Sequence, residues 1–139
     1  MELSKVLPDM AIYMKENDYK KRNNSWRKEL NDVAISVSIQ KSRWSTQEWY
    51  ICFGVTALSI REVNSFSATS YPIQDRLDGW KLTMEQVKFA VELWERKYGS
   101  IDKLIVAATE NKLPVQSDLI VVRRLTSPEY LRKVFSSQD

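Results

Sequence analysis

The chain has 139 residues, 21 Lys or Arg against 18 Asp or Glu, and a formal charge of +3. Its 43% hydrophobic and 28% charged residues match a globular domain, so disorder of the whole chain is excluded and one domain over 1–139 is expected. With no His and one Cys, it can build no Ser-His-Asp triad, Cys-His dyad, His-based zinc site, intrachain disulfide or CxxC pair.

The missing His also removes the side chain that ordinarily titrates near neutral pH. Acid–base chemistry would need a carboxylate, Lys or Tyr with a shifted pKa. The first residues, Met1 to Pro8, lack the long apolar stretch of a signal peptide. No run approaches the roughly 18 apolar residues of a spanning helix, and the expected setting is cytoplasmic, without a membrane partner.

Leu3, Leu7, Met10 and Met14 recur at helical spacing and predict a first helix over 3–16, with Pro8 in its first turn or kinking it. Asn17-Asp18 suits its end, and the basic run Lys20-Lys21-Arg22 leads to Asn23-Asn24 as turn residues. Ser25 to Leu30 reads as a strand, with Asn31-Asp32 as the turn of a hairpin. Val33 to Gln40 alternates with period two. Its odd positions form an all-β-branched face and its even positions, Ala34, Ser36, Ser38 and Gln40, a small and mostly polar face expected to point outward. Glu48 to Leu58 is a further strand, and 60–66 is a candidate for another.

Residues 67–82 read as a long polar loop with a short extended piece. Thr83 with Gln86 forms a capping-box pattern ahead of a helix whose apolar face is Met84, Val87, Val91, Trp94 and Tyr98. Gly99 ends it, and Ser100 caps a helix with Ile101, Leu104, Ile105 and Ala108 inward, closed by Pro114. Asp118 to Leu125 reads as a short strand or buried loop. Ser127-Pro128-Glu129 opens a last helix, and Ser136 to Asp139 is expected to fray. The layout is α+β: an N-terminal helix, an antiparallel meander of three to four strands, and two to three C-terminal helices packed on one sheet face.

Three segments carry candidate function. Gln40-Lys41-Ser42-Arg43-Trp44-Ser45 follows the best strand, so the outward series Ser38, Gln40 runs directly into Arg and Trp, two residue types common at interaction hot spots. The competing reading is a hairpin loop whose Trp44 folds back on the sheet. Arg76 and Trp80 in the long loop extend this candidate surface.

Residues 15–43 hold eight Lys or Arg against four Asp or Glu, a local +4 that leaves −1 for the other residues. With Tyr19, Trp26 and Trp44 interleaved, the segment 19–44 could bind nucleic acid through phosphate contacts and base stacking. Asp75 and Asp78, in the same loop as Arg76, could hold a divalent cation or act as an acid–base pair, although Arg76 between them offers a plain ion pair. Ser42 and Ser45 have no GxSxG context. The three glycines, Gly54, Gly79 and Gly99, cannot make a phosphate-binding GxGxxG loop, and Cys52 in mid-strand reads as a small core residue. No catalytic residue, metal ligand or cofactor is assigned.

The order Asp18 to Arg22, Trp26, Val33 to Ile39, Gln40 to Ser45, Phe53-Gly54-Val55, Tyr71-Pro72-Ile73, Arg76 and Trp80 resembles the bacterial "domain of unknown function 4304" family over roughly residues 5–115. That family typically shows a glycine-aromatic-lysine-lysine run, a strand end like Gln40 to Trp44, a glycine-containing strand and an Arg/Trp loop. Asp18 stands where that family prefers glycine, and the family's His or Cys near the Arg76 loop is missing. The resemblance implies an α+β domain in a bacterial cytosol and no activity, cofactor or catalytic residue. By analogy with other small standalone bacterial domains, the expected function is protein binding of the immunity type, which neutralises a toxin; nucleic acid is the alternative partner, and a carboxylate or metal-assisted enzyme the third reading.

Overall fold

The computed structural model describes residues 1–136. The last three residues of the stretch expected to fray lie outside the described residues, and Ser136 closes the final helix.

Helix α1 spans Leu3–Glu16 and buries Val6, Met10 and Met14. Pro8 lies inside it, one turn past its start, so the Ser4 carbonyl lacks its usual donor. Asp18 then takes φ 67°, a left-handed conformation that turns the chain back on itself. The sheet follows as β1 (Lys20–Arg22), β2 (Ser25–Leu30), β3 (Val33–Lys41), β4 (Trp49–Ala57) and β5 (Ile73–Asp78). All four pairings are antiparallel between sequence neighbours, a pure meander in the order β1-β2-β3-β4-β5. Asn23 and Asn31 hold positive φ in the first two turns, the conformation Asn accepts more readily than bulkier residues.

Among the described residues there are five strands rather than three to four, and four α-helices follow the sheet rather than two to three. The basic run Lys20–Arg22 is itself a strand, and the last strand is 73–78 rather than 60–66. Residues 60–66 instead cross the second face of the sheet as part of a strap over 58–72, which carries a 3₁₀ turn at Ala68–Ser70. Hydroxyls of the sheet explain the choice. Ser36 Oγ donates to the Phe66 carbonyl at 2.5 Å, and Thr56 Oγ1 to the Arg61 carbonyl at 2.6 Å. Arg27 adds bonds to the Tyr71 hydroxyl (3.0 Å) and the Val63 carbonyl (2.9 Å). A strap paired this way satisfies its backbone without joining the sheet edge.

The first face, with Val33, Ile35, Val37 and Ile39, meets the helices and forms the main core. Helix α2 (Met84–Tyr98) stacks Trp94 on Phe53 at 5.4 Å between ring centroids. Its capping box is complete: Gln86 N–H donates to Thr83 Oγ1 at 3.2 Å and Thr83 N–H to Gln86 Oε1 at 3.0 Å. Helix α3 (Ile101–Thr109) is capped by Ser100 and buries Ile101, Leu104, Ile105 and Ala107. Residues 119–125 are neither strand nor loop but helix α4 (Leu119–Leu125). Asp118 caps it through the Ile120 N–H at 2.8 Å, and Val121 and Leu125, four apart, both reach the core. Helix α5 spans Pro128–Ser136 and buries Tyr130. The strap side has a smaller apolar cluster of Ala34, Val63 and Tyr71. Among the described residues no helix is long and apolar enough to cross a membrane.

Candidate interaction surface

The end of the sheet formed by the β3–β4 connection gathers most of the sequence-predicted site. Across this hairpin Ser42 N–H donates to the Glu48 carbonyl at 3.1 Å. The two serines shape the loop: Ser42 Oγ accepts from Trp44 N–H at 3.1 Å, and Ser45 Oγ from Gln47 N–H at 3.2 Å. Such serine turns occupy the hydroxyls structurally. Trp44 does not fold back on the sheet; it is 94% exposed, beside exposed Arg43 and Lys41. Between this loop and the first two turns of α1 runs an open groove of about 740 Å³, floored by Leu3, Leu7 and Trp49.

Gln40 and Arg76, distant in sequence, meet here through Tyr50. Gln40 lies opposite Tyr50 in the β3–β4 register, and the Arg76 guanidinium sits 4.4 Å from the Tyr50 ring centroid. Cys52, beneath them, is buried and donates to Gln40 Oε1 at 3.6 Å. Burial pushes its thiol pKa up, against the opposing pull of Arg76. Trp80 reaches the same end of the sheet but packs against the core. Its carbonyl accepts from the Met1 ammonium at 2.6 Å, while Trp49 Nε1 donates to the Met1 carbonyl at 2.8 Å.

Ser38 departs from this surface. It is 6% exposed, because the even face of β3 is roofed by the strap rather than by water. Its hydroxyl accepts from the Ala68 N–H at 2.9 Å and is shared with Ser25 Oγ at 2.9 Å. Gln40, one pair further along, is the first residue of that series to emerge.

Asp75, Arg76 and Asp78 are on β5 rather than in a loop. Asp75 and Asp78 are three apart on a strand and so face opposite sides; Asp75 is opposite Phe53, whereas Asp78 is opposite Tyr50 and pairs with Lys81 at 3.3 Å. The two carboxylates therefore do not converge. Among the described residues no group of three His, Cys, Asp or Glu can hold a metal ion. In the basic segment Tyr19 and Trp26 are core residues, 5% and 1% exposed, leaving Trp44 as its one aromatic open to stacking. Lys28 and Arg27 are engaged by Glu95 and Glu29.

Tyr50 and Phe66 were not selected from the sequence. The signal for Tyr50 was present: an antiparallel hairpin closing over 42–48 sets Gln40 against it. Phe66, whose ring lies 4.9 Å from the Arg22 guanidinium, sits on a strap that no local pattern locates.

A family model described as a domain of unknown function, DUF4304, matches residues 10–104, from the middle of α1 into α3. No curated protein and no solved structure matches the chain significantly. The matched stretch includes the whole sheet, the strap and the Gln40–Trp44 rim, with α4 and α5 outside it. The chain belongs to the DUF4304 family, a domain of unknown function.

Proposed function

We propose that this chain is a non-enzymatic protein-binding domain that docks its partner on the rim built from Gln40, Lys41, Ser42, Arg43, Trp44 and Arg76. The observation that carries this reading is Trp44, 94% exposed at a loop tip beside Arg43. An indole left in water forgoes about 2 kcal/mol or more of burial free energy that a partner surface would recover, and Trp and Arg dominate interface energetics. Apolar groove walls next to it give a partner side chain somewhere to lodge. Within this reading, an immunity-type role, neutralising a protein toxin in a bacterial cytosol, follows by analogy with other small standalone domains.

Tagged wild-type protein and a Trp44→Ala variant, expressed in source cells, test it. The expected result is one stoichiometric protein partner retained by the wild type, at least about tenfold depleted with the variant, while both give the same circular dichroism spectrum. Equal recovery with Trp44→Ala overturns the docking site. Recovery of nucleic acid, with an affinity that falls steeply with salt, replaces the reading by the nucleic-acid one.

A further inference from the structure

One row of residues crosses all five strands on the strap side of the sheet. Arg22 on β1 pairs with Ser25 on β2, Ser25 with Ser38 on β3, Ser38 with Cys52 on β4, and Cys52 with Arg76 on β5. The three middle residues are small, and the strap lies over Ser38. The two ends are arginines, four strand spacings or about 19 Å apart at the backbone. Both are exposed and each stacks on a ring: Arg22 on Phe66 at 4.9 Å and Arg76 on Tyr50 at 4.4 Å.

A guanidinium lying over a ring keeps its N–H edges free for other acceptors, and the ring limits its rotation. Two other arginines use that fork internally. Arg27 pairs with Glu29 at 2.9 Å and Arg61 with Asp118 at 3.1 Å. Among the described residues neither Arg22 nor Arg76 has a carboxylate within 4.0 Å of its side-chain nitrogens. Two pre-oriented, unpaired forks thus flank the rim that carries Gln40, and Lys41 and Arg43 add positive charge beyond it.

We infer that the partner docked on this rim is an acidic protein segment whose carboxylates are gripped bidentately by Arg22 and Arg76, an inference that rests on the protein-binding reading above. A nucleic acid fits less well, because both rings are already covered by guanidinium groups, which leaves Trp44 alone to stack a base. A planar carboxylate needs no free ring and matches the fork directly. The strap covers the row between them, so an extended segment that reaches both arginines passes over the strap or along the Gln40 rim and needs more than the about six residues of the direct path.

Fluorescence anisotropy with a labelled oligoglutamate peptide and an oligothymidylate of equal charge tests this on the full chain. Oligoglutamate is expected to bind and to weaken as salt is raised. Arg22→Glu and Arg76→Glu should each weaken it at least about tenfold, and Arg76→Lys, which keeps the charge but loses the fork, by about threefold or more. Lys103→Glu, the same charge change on α3, should leave binding within about twofold. Absence of oligoglutamate binding, tighter binding of the oligothymidylate, or an equal loss with Lys103→Glu overturns the inference. Partner capture lost in Trp44→Ala but unchanged in Arg22→Glu and Arg76→Glu overturns this inference alone and leaves the docking site standing.

Discussion

The Tyr19 hydroxyl donates a 2.5 Å hydrogen bond to the Glu95 carboxylate, tying the segment that leads into the sheet to the C-terminal part of α2. Lys28 Nζ approaches the same oxygen at 3.3 Å, and one turn earlier on α2 Glu92 accepts from Tyr13 of α1 at 3.1 Å. Two tyrosines from the N-terminal part of the chain thus anchor one helix through its carboxylates. Tyr19→Phe should lower the unfolding free energy by about 2 kcal/mol, the range for a bond to a charged group, read from urea denaturation. An unchanged midpoint would mean that Lys28 alone satisfies Glu95.

The same contact sets an alkaline limit. Burial pushes the Tyr19 phenol far above its ordinary range, with the bond to Glu95 and its negative charge adding to the effect. Burial also raises Tyr13, Tyr71, Tyr98 and Tyr130. A folded-state pKa above the unfolded one means that this stability is fully present below about pH 10 and is lost as pH rises beyond it. With no His, the urea midpoint should change little between about pH 6 and 8 and then fall above about pH 10. The fall should be shallower in Tyr19→Phe; an equal slope in both proteins would assign it to other groups.

Asp18 occupies a left-handed backbone position, φ 67°. That conformation costs an L-residue about 1 kcal/mol and costs glycine almost nothing. Asp18→Gly should leave stability unchanged or raise it by up to about 1 kcal/mol, whereas Asp18→Val should lower it by more than that. Thermal melts of the two variants decide the matter, and a destabilised Asp18→Gly would point to a role for the carboxylate itself.

Gly54 answers to a different constraint. A Cβ there would come within 2.7 Å of Tyr71 Cβ and 2.8 Å of the Ala68 carbonyl oxygen, because the strap presses on β4 at this point. Alanine would regain about 0.5–1 kcal/mol of backbone entropy, yet overpacking costs typically 1–3 kcal/mol, so the net effect of Gly54→Ala is a loss. Faster hydrogen exchange confined to residues 59–72 would accompany it.

Ser38 separates the roof from the interface. Ser38→Ala leaves the buried Ala68 N–H without its acceptor and should cost about 1–2 kcal/mol. Partner capture at a temperature where the variant stays folded should match the wild type. A selective loss of binding would return Ser38 to the contact surface.

Much of the fold was legible because its signals are local. The periodicity of Leu3 to Met14, the alternation of Val33 to Ile39, the Thr83–Gln86 box and the asparagine turns each act within a few residues, and the elements they predict appear with ends within about one residue. The segment 118–125 was not legible, since a β-branched run favours a strand locally, and the core contacts of Val121 and Leu125 together with the Asp118 cap select the helix. The even face of β3 misled for a related reason. Ser36 and Ser38 need hydrogen-bond partners, and a sequence does not distinguish water from a strap that arrives thirty residues later.

By itself the sequence determined the α+β layout, the exclusion of His- and disulfide-based chemistry, and the Gln40–Trp44 segment as the place to look. Tertiary structure decided which of those residues face outward. Strand register carried Arg76 to Tyr50 and Gln40, and set Arg22 and Arg76 at opposite ends of one row, a relation spanning 54 residues of chain. Pairing of distant strands is a property of the whole sheet, fixed by the burial of its first face against the helices, and no local pattern encodes it.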